Sequence, residues 1–334
     1  MGLKSFTTSG LLARFSILTC MILFRQINVD GQYLIPSDSL IDKRVTAITV
    51  AGGVTYGAGM YLLGNAWYKN SLTNNFRFFN DNGEWLQVDK IGHIFSAYNE
   101  SRVVYQMYKW AGVSEDNSIL LGLSAGLLAQ TSLEIFDGFS EKWGFSWGDM
   151  SANFIGLTAF GLQQKIWHEQ RIVFKISSDF RDYSRDPLIP TSGSNPDNLY
   201  NRAGDIYGRD PMSRLLKDYN AQTNWISINP ASFTSHQSTW WPAWINIAAG
   251  YSAENMFGGF GNSWEKEGNY YDLDKDRYPR YRQYLLSADI DFTKISVRSP
   301  FLKTLFQMLN IFKMPAPALE YNSIQGMKWH WIFF

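Results

Sequence analysis

The chain has 334 residues, enough for two ordinary domains with sizeable cores. Lys plus Arg equals Asp plus Glu, 30 each, so no net field draws the protein to nucleic acid, and none is expected as a partner. A single cysteine, Cys20, excludes a disulfide framework and a Cys-based metal site within one chain, while aromatic residues at 16% point to interfaces, lipid or sugar contacts, or an aromatic-rich core.

Residues 1–31 read as a signal peptide. Lys4 and Arg14 give a positive start, Phe15 to Phe24 is a mostly apolar run, and Val29 and Gly31 fit the −3 and −1 positions of a cleavage before Gln32. Arg25, close behind the apolar run, leaves a retained anchor as the alternative. The stretch Ile17-Leu18-Thr19-Cys20 departs from a lipobox at Thr19, where Gly or Ala is expected, so lipidation is not expected. The predicted location is the cell envelope: periplasmic and membrane-associated, with the outer membrane as one setting.

Four helices are predicted within residues 44–172, and their short loops imply a small antiparallel bundle. The first, from about Thr46 to Tyr68, is uncharged and long enough to span a bilayer, and Gly53 and Gly57, four apart, permit close helix approach. A Gly-rich core helix of a water-soluble bundle fits the same residues. The second runs from about Val88 to Gly112. The third starts near Asn117 and ends near Gly138, and the fourth runs from Gly148-Asp149 to about Glu169.

Residues 173–229 read as a linker or irregular region, marked by Pro187, Pro190, Gly193 and Pro196. From 230 to 334 the period becomes two: Tyr284, Leu286, Ala288 and Ile290 alternate with Ser287, Asp289 and Asp291, and Ile245 to Tyr251 and Met327 to Phe333 alternate likewise. These predict half-buried strands. Ser299 and Pro300 open one amphipathic helix carrying Phe301, Leu305, Leu309 and Phe312. The fold class is therefore α+β, a bundle of about four helices followed by an aromatic-rich antiparallel β domain with one amphipathic helix. The terminal Phe334 suits an outer-membrane barrel, but only four to six strands are found where at least eight of about ten residues are needed. A small sheet is expected instead.

Polar residues collect on the helices in a pattern. Asp89 and His93 share one helical face, with Glu100 two turns beyond; Glu134 and Asp137 close the third helix; Asp149 and Asn153 open the fourth. Antiparallel packing brings these ends together. One imidazole among several carboxylates suits a divalent metal or an acid–base pair; in a metal-dependent reaction His93, Glu134 and Asp149 would be the ligands and Glu100 or Asp137 a general base. The same residues have ordinary roles: Asp89 and Asp149 as helix caps, Asp137-Gly138 as a helix end. Asp272, Asp274 and Asp276 mimic a calcium loop, but Arg277 and Gln283 stand where Gly and Glu are needed, so a solvated loop is expected. His168, His236 and His330 stand alone.

The blocks Asp89-Lys90-x-x-His93, Glu134-x-x-Asp137-Gly138 and Gly148-Asp149-x-x-x-Asn153-x-x-Gly156 resemble the YfiM-type family of predicted periplasmic lipoproteins, and more distantly the VanZ-like membrane proteins. The resemblance covers roughly residues 45–170. It implies an envelope location and a motif-bearing helical domain, with Lys90 part of the motif and no defined biochemical role. The chain departs from the first family at Thr19 and from the second in its less apolar helices.

Three functions are compatible with these features. The first is a non-enzymatic envelope protein whose aromatic β domain, with Trp240, Trp241 and Trp244, contacts a membrane or an envelope protein partner. The second is a metal-dependent hydrolase or transferase acting on an envelope lipid or glycan. The third is a membrane transporter. No cofactor beyond a divalent metal is suggested, and the oligomeric state is not encoded in these features.

Overall fold

The computed structural model describes residues 35–69, 71–234 and 241–334. The expected signal peptide, Cys20, His236 and Trp240 lie outside them. The fold is α+β, with a helical cluster followed by a six-stranded antiparallel sheet.

The helical half contains α1 (Asp42–Leu63), α2 (Val88–Trp110), α3 (Glu115–Gly138) and α4 (Trp147–Trp167). A π-helical turn, Gly64–Tyr68, prolongs α1. Helix α4 starts where Ser146 accepts the amide of Asp149 and stops where His168 turns left-handed at φ 57°.

Helix α2 is the centre, with α3 and α4 laid against it over small residues. A Cβ at Gly122 would sit 2.5 Å from the Ser101 carbonyl, one at Gly126 2.4 Å from the Ser101 hydroxyl, and one at Gly156 2.3 Å from the Ile94 carbonyl. The helix backbones therefore touch across a Gly–Ala–Ser seam. The expected approach at Gly53 and Gly57 is not found: both face open space, because α1 meets its neighbours through longer side chains. Tyr56 bonds Ser132, and Thr49 bonds Tyr108.

The second half opens earlier than the composition suggests. Residues 173–229, expected as a linker, supply most of β1 (Ile172–Ser178), then α5 (Leu199–Tyr207), α6 (Pro211–Lys217) and β2 (Gln222–Ile228). Turn residues near 187–196 masked these short elements. Then come β3 (Ile245–Glu254), the hairpin β4 (Ser263–Lys266) and β5 (Asn269–Asp272), β6 (Tyr281–Ile290), α7 (Pro300–Leu309), β7 (Ala316–Asn322) and β8 (Gly326–Phe333). Helix α7 begins as expected, with Ser299 capping and Pro300 in the first turn. The large sheet has the order β1-β2-β3-β6-β7-β8, and β4-β5 stands apart. Residues entering β7 bond back to β1, Ile176 donating to the Ile311 carbonyl and Lys313 to that of Ile176, so the sheet curls over its inner face.

That inner face is the polar one. Register aligns Lys175, Trp225, Gly250, Leu285 and Glu320 in one row and Ser227, Ala248, Ser287, Ala318 and His330 in another. Lys175 lies 2.7 Å from Asp289, both side chains wholly buried. His330, which the sequence leaves alone, pairs with Glu320 at 2.6 Å. Gly250 leaves room for the Trp225 ring, which a Cβ would meet at 2.6 Å. The apolar alternates, Ile247, Tyr284, Leu286, Tyr321 and Trp329, point outward and are exposed. On the β1 side this outer face packs on α2, where Tyr98 meets Phe174 and Asn99 donates to the Phe174 carbonyl.

A separate aromatic core of ordinary polarity forms between α5 and the β4–β5 hairpin: Tyr183, Leu199, Tyr207, Phe257, Trp264 and Tyr271. Trp85, just before α2, packs against this core and ties it to the start of the helix.

Candidate functional site

The residues that open α2 enter through an unusual turn. Trp85, Leu86 and Gln87 all have positive φ, at 48°, 49° and 69°. Three consecutive side-chain-bearing residues in the left-handed region are strained and persist only when their surroundings hold them. Here the Trp85 amide donates to the Gly259 carbonyl and the Tyr251 hydroxyl to that of Leu86. The turn aims Asp89, Lys90 and His93 at the end of α3 and the start of α4.

Asp89, Lys90, His93, Glu134, Asp149 and Asn153 converge there. Lys90 Nζ is 2.6 Å from Asp149 Oδ1, 2.7 Å from Asp81 Oδ1 and 3.7 Å from Asp89 Oδ2. His93 Nε2 is 3.6 Å from Asp149 Oδ1 and 3.8 Å from Glu134 Oε1, while Nδ1 meets Asn153 Oδ1 at 3.1 Å. Glu134, 1% exposed, accepts the Ser146 amide through Oε2. The Ser146 hydroxyl donates to Asp81, and the Tyr219 hydroxyl to Asp89.

Charge sets the protonation here. Burial alone would lower the His93 pKa, but Asp89, Asp149 and Glu134 outweigh it and lift it to about 9. The same contest holds the Lys90 ammonium above its usual value, through Asp89, Asp149 and Asp81. Asp81 is held low by its bonds to Asp149, Lys90 and Ser146, against burial. Glu84, on the strained turn, is pushed up to about 7 by burial and by the charges of Asp81 and Asp89.

Two expected members stand apart from the cluster. Glu100, further along α2, binds the Gln130 amide at 2.9 Å through both oxygens. Asp137 accepts the Tyr68 hydroxyl at 2.8 Å. Lys217 lies 3.6 Å above the Trp67 ring, and burial pulls its pKa down to about 8.

Asp81, Ser146 and Tyr219 belong to the cluster but are not evident from the motif blocks. Ser146 had a signal, since Ser146-Trp-Gly-Asp149 has the spacing of a helix-start cap. Tyr219, 130 positions after Asp89, had none. Tyr219→Phe keeps the ring and removes the donor, and is expected to cost about 1–3 kcal/mol in denaturant unfolding. A loss below about 0.5 kcal/mol would mean that Asp89 finds another partner.

A family model described as "Predicted periplasmic lipoprotein (DUF2279)" matches residues 77–165, a stretch that holds every site residue from Asp81 to Asn153. The match supports a cell-envelope location and assigns no activity. It begins well after Cys20 and so does not bear on lipidation. No curated protein and no solved structure matches the chain.

Proposed function

We propose that the chain is a non-enzymatic envelope protein embedded in a lipid bilayer by its own outer surface, with its polar residues enclosed and its aromatic α5–hairpin core outside the lipid. The observation that carries this reading is the reversal of polarity in both halves. Helices α1 and α3 are long and apolar enough to cross a membrane, at 22 and 24 residues. Their large side chains face outward, Val50, Val54 and Tyr61 on α1 and Leu120 and Leu128 on α3, as do Phe154, Leu162 and Ile166 on α4. Gln130, Glu134, Asn153, Gln163 and Gln164 are buried instead.

The sheet repeats the arrangement. Trp331 is 78% exposed and Leu286 53%, against the closed Lys175–Asp289 pair inside. In water such a distribution would forgo about 25 cal/mol for every Å² of apolar surface left wet, while the interior gains little hydrophobic stabilisation. Lipid removes that deficit, and rings such as Trp329 and Trp331 suit the membrane–water boundary. The likeness to YfiM-type and VanZ-like envelope proteins fits the same setting.

Nitroxide labels on single cysteines at Leu162 and Leu286, in a Cys20→Ser background reconstituted into vesicles, test the reading. Both labels are expected to collide more with oxygen than with a water-soluble nickel chelate. The opposite order at both positions would overturn it. The readout is independent of residues 1–34, whose apolar run could by itself retain the chain in a membrane pellet.

A further inference from the structure

Two buried carboxylate oxygens of the helical cluster, Glu134 Oε1 and Asp149 Oδ1, have no hydrogen-bond partner among the described residues, although Asp149 Oδ1 has the Lys90 ammonium beside it. Glu134 Oε1 is enclosed and faces the His93 imidazole at 3.8 Å. An uncompensated carboxylate oxygen in such a place is costly.

We propose that the cluster is a divalent transition-metal site, with Asp89, His93 and Asp149 as ligands and Glu134 as the fourth. One ligand atom each from Asp89, His93 and Asp149 lies within 4.8 Å of the others. Tetrahedral ligands at about 2.1 Å from an ion are about 3.4 Å apart, so the 3.6 and 3.8 Å separations from His93 Nε2 need only small closure. An imidazole with carboxylates and no sulfur suits Zn²⁺ or Mn²⁺.

The local charge agrees. Asp81, Asp89, Glu134 and Asp149 set four carboxyl groups around the one ammonium of Lys90, a surplus of acidic groups that a dication offsets. Lys90 Nζ, held between Asp81 and Asp149, competes for a ligand oxygen, and an entering ion takes the place of that ammonium contact and of the imidazole proton. Asn153, on the other ring nitrogen, orients His93 from outside the ligand set. This site does not depend on the bilayer reading, and its test is made in detergent.

The experiment is a Mn²⁺ titration of the full chain, solubilised in detergent and stripped with chelator, followed by the electron paramagnetic resonance signal of free Mn²⁺ and by Zn²⁺ competition. One saturable site is expected. His93→Gln and Asp149→Asn should each weaken it by about tenfold or more, while His168→Gln leaves it unchanged. Lys90→Met should strengthen binding several-fold, a direction that a merely structural network would not produce. Absence of saturable binding in the wild-type chain, or equal affinity in Asp149→Asn, would overturn the proposal. The wild-type titration decides even where a variant does not fold.

Discussion

Replacing Asp289 by Asn is expected to cost about 3–5 kcal/mol of unfolding free energy, because it strands the Lys175 ammonium in the closed interior of the sheet. The ammonium also meets the Ile290 carbonyl at 2.7 Å and Asn310 at 3.0 Å, but both are neutral and do not replace the carboxylate. Asp289 in turn accepts the Ser227 hydroxyl at 2.6 Å.

Denaturant unfolding in detergent checks this cost. Lys175→Met combined with Asp289→Leu, which removes both charges, should recover much of the loss. A single-variant cost below about 1 kcal/mol would show that water reaches the pair.

The second large effect concerns helix approach. Gly156→Ala is expected to destabilise the helical half by about 1–3 kcal/mol, since its new Cβ would lie 2.3 Å from the Ile94 carbonyl, a backbone atom that cannot swing aside. Relief requires α4 to retreat from α2, and this carries Asp149 and Asn153 away from His93. Gly53→Ala is the matched comparison. Nothing lies within 4 Å of its Cβ, and Ala is the better helix former by about 0.5–1 kcal/mol, so the same substitution should be neutral or stabilising there. Thermal unfolding of the two variants side by side tests the contrast, and equal behaviour would contradict the seam described for α2.

Much of the architecture follows from local pattern. The four helices lie within a few residues of their expected bounds, and the Ser299-Pro300 start is found as read. The alternation of Tyr284 to Ile290 makes a strand whatever surrounds it, because period two is a property of the extended backbone. The blocks around Asp89, Glu134 and Asp149 likewise come together, since short loops force their helix ends to meet.

What local pattern could not decide is which face of each element is inside. Period gives two faces and is blind to their surroundings, so Leu286 and Asp289 could have taken either side; only the pairing of six strands and the closure of residues 311–313 onto β1 turned the polar side inward. The same holds for glycine. Gly53 and Gly156 look alike in a helix, and contact with Ile94 alone distinguishes them. Tyr219 reaches Asp89 across 130 positions, a partnership set by the docking of α2 beside the aromatic core and by no spacing rule. Sequence by itself determined the four long helices, the strands of clear alternation and the chemistry they carry, though not the short elements within residues 173–229; the tertiary structure decided orientation and partnership, because both depend on contacts between residues far apart along the chain.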